Sequence, residues 1–151
     1  MSQITDDTEF KQALKDLDES SQRLTAARFV EHVLPLSTDE RIARVVKVAA
    51  DNEASADELS SALRTAKAAT FDSHTRCGSE GNWKEQAGYF VSRAAVAALT
   101  PCEKCSSGSP AWQAAMSSRM ARTSMEIDAE DMSTTNESEQ QYQILSDFLN
   151  S

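Results

Sequence analysis

The soft metal ligands of this 151-residue chain are three cysteines and two histidines, and their spacing points to one chemistry. His74-Thr75-Arg76-Cys77 and Cys102-Glu103-Lys104-Cys105 together read as H-x2-C…C-x2-C. Three thiolates and one imidazole form a set that zinc accepts in closed tetrahedral structural sites. The residues between the two pairs work against a site within one chain. Their apolar spacing predicts a straight helix over 83–99, and at ~1.5 Å per residue its ends lie ~25 Å apart. In a helical hairpin His74 and Cys77 fall near its start, Cys102 and Cys105 near its end. The four therefore converge more readily between two chains. The expectation is no resident cofactor, with a zinc-organised structural or regulatory protein as the alternative.

Other combinations are weaker. Cys102-x-x-Cys105 has the form of a redox pair, but such catalysts need a helix N-terminus and neighbours that lower the first thiol's pKa. This pair follows Pro101 in a loop, without a thioredoxin-like strand pattern. Asp72-Ser73-His74 has the letters of a hydrolytic triad. Adjacent helical residues point ~100° apart, so the three cannot form a relay. Asp128 to Glu139 has the length of a calcium loop, yet Met132 and Ser133 stand where a ligand and the turn glycine belong. With four glycines in the chain, no phosphate-cradling G-x-G-x-x-G or Walker loop can be written. A non-enzymatic protein is expected.

The elements that would position these residues are helices. Leu, Ile, Val and Phe number 26, about 17 % of the chain, a level at which disorder becomes a concern. The 22 alanines offset this, because alanine favours helix and lets helix axes approach closely. Ser37-Thr38-Asp39-Glu40, Ser55-Ala56-Asp57-Glu58 and Thr134-Thr135-Asn136-Glu137 have the form of capping boxes. Asn82-Trp83-Lys84-Glu85 is a weaker one, and Ser109-Pro110 pairs a cap with a first-turn proline. Apolar stripes at helical spacing include Ile42, Val45, Val46 and Ala49, and also Trp112, Ala115, Met116 and Met120. Tyr142, Leu145, Phe148 and Leu149 form the last of them. Seven helices are predicted, roughly at 7–18, 24–34, 38–51, 55–75, 83–99, 110–127 and 137–149. The fold class is all-α, a single-domain bundle of five to seven helices, with the last five as its body. Residues 1–20 are expected to be an acidic N-terminal arm or short helix, and 21–151 the helical domain.

Charge is placed unevenly. The formal net charge is −9, yet residues 1–122 carry 17 acids and 15 bases. From Thr123 onward there are seven acids and no Lys or Arg. Such a field repels nucleic acid and anionic membrane and attracts a basic surface. No stretch of ~18 apolar residues is present to cross a membrane. The acidic opening residues lack a secretory apolar stretch, so a cytoplasmic location is expected. Glu126, Asp128, Glu130 and Asp131 are the candidate steering residues for a basic protein partner. Trp112 and Met116 are candidate anchors, since tryptophan is enriched in binding hot spots.

Two stretches carry a family resemblance. Phe29-Val30-Glu31-His32-Val33-Leu34-Pro35-Leu36 resembles the "ERVLPLFE" opening of an alanine-rich family of bacterial immunity proteins. The spacing of Thr38-Asp39-Glu40-Arg41, of Val45 to Ala49 and of Ala56-Asp57-Glu58-Leu59 is similar, as is Trp112-Gln113-Ala114-Ala115. The resemblance spans residues 25–122 loosely. It implies a cytoplasmic, non-enzymatic helical protein that binds and silences a toxin, and it brings no catalytic residues.

Overall fold

Where the residue before a helix is described, α-helix starts in the computed structural model fall where a side chain can take up orphan N–H groups of the first turn. The structure describes residues 4–37, 39–80, 83–100, 109–129 and 137–150, with the side chains of 74, 76–80, 83–84 and 125–129 left aside. The helices are α1 (Asp7–Lys15), α2 (Glu19–Val33), α3 (Glu40–Ala49), α4 (Ala56–Glu80), α5 (Trp83–Leu99), α6 (Pro110–Ala129) and α7 (Glu137–Leu149). A 3-10 turn, Leu34–Leu36, follows α2. No strand occurs among the described residues, and the fold is an all-α bundle.

The caps show which local rules hold. Ser55 Oγ accepts from the Glu58 N–H at 3.1 Å, while the Ser55 N–H donates to Glu58 Oε1 at 3.3 Å. This is the reciprocal capping box. Ser55→Ala should therefore lower stability by about 1 kcal/mol and Tm by about 3 °C, as read by thermal denaturation followed by circular dichroism. Ser109 Oγ caps α6 by accepting from the Trp112 N–H at 3.2 Å. At α3 the expected Ser37 box gives way to Asp39, whose carboxylate accepts from the Arg41 N–H at 2.9 Å. The Arg41 guanidinium grips that carboxylate too, at 2.8 Å, and a charged acceptor outcompetes a hydroxyl. Arg41 also reaches Asp72 on α4 at 3.0 Å. The expected α7 box cannot be followed to its cap, because Thr134 lies outside the described residues and Glu137 is the first described residue of α7.

Two expectations about the architecture need correction. α2 begins at Glu19 rather than near 24, capped by Asp18, whose side chain accepts from the Ser21 N–H at 2.8 Å. Its first turn is polar and leaves no apolar signal. The 20/21 boundary therefore lies inside a helix. Nor do the last five helices alone form the body. On α2, Thr25, Ala26, Ala27, Phe29, Val30 and Val33 are all fully buried. Burial at consecutive residues means burial most of the way round, the mark of a central helix. α2 contacts α3, α5, α6 and α7.

The most extensive helix contact is between α5 and α6. The buried side chains of these two helices are mostly small, including Ala94, Ala95 and Ala98 on α5, and Ala111, Ala114 and Ala115 on α6. Such residues let two backbones pack near the close end of the ~8–10 Å range. The inward face of α6 continues through Ser118 and Ala121, both fully buried. This rotates the expected stripe, since Met120 is 48 % exposed.

Candidate functional site

α4 and α5 run antiparallel, which decides the reach of the proposed metal ligands. Lys67 and Thr70 line one recess with Arg93, Val96 and Ala97. That register brings His74 and Cys77 level with about Tyr89 and Gln86, so Cys77 stands ~20 Å from Thr100 along the axis. Cys102, two residues past Thr100, reaches back at most ~7 Å. The side chains of His74 and Cys77, and all of Cys102 and Cys105, lie outside the described residues. Among the described residues no group of His, Cys, Asp and Glu is clustered tightly enough for a metal ion.

Of the candidate partner residues, Glu126 and Asp128 occupy the last two turns of α6, with side chains outside the described set. Glu130 and Asp131 lie outside it entirely. Trp112 and Met116 are half-buried and pack against the core. The indole of Trp112 stands 6.1 Å from Phe10 and has Lys11 Nζ 5.1 Å from its ring centre.

The densest polar chemistry among the described residues lies where α7 meets α2, α6 and α1. Arg119 on α6 organises one half. Its Nη atoms donate to both Asp7 carboxylate oxygens at 2.9 and 3.0 Å, and its Nε donates to Gln141 Oε1 at 2.8 Å. Gln141, fully buried, passes its own Nε2 proton to the Ala115 carbonyl at 2.9 Å. Tyr142 donates its hydroxyl to Asp7 at 2.7 Å. The guanidinium also stands over the rings of Phe10 and Tyr142, at 5.5 and 6.0 Å. One arginine thus ties α1, α6 and α7 together. A fork that matches a carboxylate bidentately is what arginine supplies and lysine cannot.

The second half centres on Glu137, 5 % exposed. His32 Nδ1 on α2 lies 2.8 Å from its Oε1, and Arg122 Nε on α6 lies 3.4 Å from its Oε2. A buried carboxylate is tolerated when it is paired in this way. Its place in the first turn of α7 also matches the helix dipole.

The Arg119 guanidinium, assisted by the Tyr142 hydroxyl, holds the Asp7 carboxyl below the usual carboxylate range. Burial, and then the Asp7 carboxylate, push the Tyr142 phenol up. Both shifts favour the observed pairing at neutral pH.

The sequence pattern singles out neither Asp7, Gln141 nor the two arginines, and marks Glu137 only as part of a capping box. One signal was available. Arg119 and Arg122 are the only charged residues between Lys104 and Glu126, and a spacing of three puts them on one helix face. The other signal is the i, i+4, i+8 row Glu137, Gln141 and Leu145, which forms the buried face of α7. Comparison with protein-family models, with curated proteins and with solved structures returned no match.

Proposed function

We propose that this chain is a non-enzymatic, protein-binding helical domain that docks a basic partner, in the manner of an immunity-type inhibitor covering a toxin. The observation that carries the reading is the position of the acidic run. Glu126 and Asp128 fall in the last turns of α6, which end without a basic residue. Acids there oppose the helix dipole and cost local stability. Their placement makes better sense as a surface for another molecule than as support for the helix. Two further acids, Glu130 and Asp131, follow directly in sequence. Complementary charge of this kind steers association and sets its rate.

No described helix is long and apolar enough to cross a membrane.

The test begins with affinity capture by the whole chain and identification of the retained protein by mass spectrometry. Association of that protein is then timed by stopped-flow with wild type and with Glu126, Asp128, Glu130 and Asp131 all changed to Lys. A slowing of at least about tenfold, collapsing as salt rises, is expected for a steered complex. An unchanged rate with a basic partner would remove the charge argument.

A further inference from the structure

α7 covers its groove with an unusual face. Two of its three buried side chains are polar, Glu137 and Gln141, and only Leu145 is apolar. What Glu137 and Gln141 meet is cationic, and the exposed Arg28 flanks it. Arg28 and His32 stand one turn apart on α2, and Arg119 and Arg122 stand one turn apart on α6. Arg28 lies over the Phe148 ring at 5.3 Å. His32 and Arg122 meet Glu137, and Arg119 meets Gln141. α7 itself carries Glu137, Glu139 and Asp147 and no Lys or Arg. Asp7, from α1, shares Arg119.

We propose that this α2–α6 groove is a docking site for an acidic amphipathic helix of a partner protein, and that α7 is its built-in occupant. The recognition chemistry is that of α7: a carboxylate between His32 and Arg122, an amide one turn later on Arg119 and the Ala115 carbonyl, and an aliphatic side chain one turn beyond. Helix-in-groove binding uses anchors at this spacing. Polar pairs of this kind gain little net free energy each, so they fix the register of a cover that Tyr142, Ile144 and Leu145 also pack against the core. Because α7 belongs to the same chain, it occupies the groove ahead of a free helix, so the resting chain is closed. This inference is independent of the acidic run at 126–131.

The experiment evicts α7 from its groove in the whole chain by Leu145→Arg, which sets a cation where a fully buried leucine packs in the core. The probe is a fluorescein-labelled synthetic peptide with the sequence of residues 137–150, followed by anisotropy. The peptide should bind this variant at least about tenfold more tightly than wild type, where the tethered helix competes. Adding Arg119→Glu and Arg122→Glu should abolish that gain, and a scrambled peptide should not bind. Failure to bind a Leu145→Arg chain that still melts cooperatively overturns the proposal. So does binding indifferent to the arginine reversals. If Leu145→Arg prevents folding, wild-type hydrogen exchange decides the matter: α7 amides must open before those of α2 and α5. Exchange of α7 only through global unfolding overturns it, and a wild-type dimer exchanging α7 would overturn the assignment to a foreign helix.

Discussion

Phe10→Ala is expected to lower the stability of the whole bundle by about 4 kcal/mol, the loss typical of a phenylalanine deleted from a packed core. Phe10 is fully buried, and its ring meets Phe29 on α2, Trp112 on α6 and Tyr142 on α7 at centroid distances of 5.6, 6.1 and 5.3 Å. The tilted planes, 53–58° apart, let the positive edge of one ring meet the negative face of the next. Truncation removes three aromatic contacts and the ring beneath Arg119. Because domains of this size are stable by only about 5–15 kcal/mol, the loss should lower Tm by about 10 °C. Urea denaturation followed by circular dichroism measures it. A change below about 0.5 kcal/mol would mean that α1 is a dispensable arm. The same experiment weighs the two expectations for residues 1–20, since Leu14 joins Phe10 in full burial.

The second large effect is expected from Arg119→Met, which keeps the aliphatic stem and deletes the fork. Asp7 loses its bidentate partner, Gln141 loses the donor to its Oε1, and two rings lose their cation. The loss should be about 2 kcal/mol, below that of a fully buried pair because the Asp7 side chain is half exposed. Its pH dependence identifies the cause. A carboxyl whose folded pKa is depressed contributes stability above its unfolded value, near 4, and that contribution is lost as pH falls through the folded value. Asp7 is such a group, and Arg119 is the main reason. Wild type should therefore lose stability below about pH 4 more steeply than Arg119→Met, and the two curves should converge in acid. Tyr142 works on the alkaline side. Its raised phenol contributes below about pH 10 and less above it. Urea midpoints at stepped pH measure both limbs. Parallel curves would show that the arginine stabilises by packing alone.

Much of the architecture was legible because helix formation is local. The Ser55 box, the Ser109 cap and the stripe Ile42, Val45, Val46 and Ala49 depend on residues within one or two turns of each other. A linear reading contains all the geometry such features need. The α7 span, Glu137–Leu149, matches its expected range for the same reason. The inward face of a helix is less local. Of the expected α6 stripe Trp112, Ala115, Met116 and Met120, only Ala115 is fully buried, together with Ala111, Ala114, Ser118 and Ala121. When two helices approach through alanines, large side chains are displaced to the rim, and which helix comes close is a matter of topology.

The sequence by itself determined that this chain is acidic, that its charge lies in its last fifth, and that it forms seven helices in nearly these places. Only the tertiary structure decided what those helices do with their polar groups. His32 finds Glu137 across 105 positions, and Arg119 finds Asp7 across 112. Nothing in the local pattern marks either pair, because a charged side chain on a helix face reads as solvated until another helix is laid over it. The free energy of each pair depends on the burial that packing creates, and that burial exists only once α2, α6 and α7 have met.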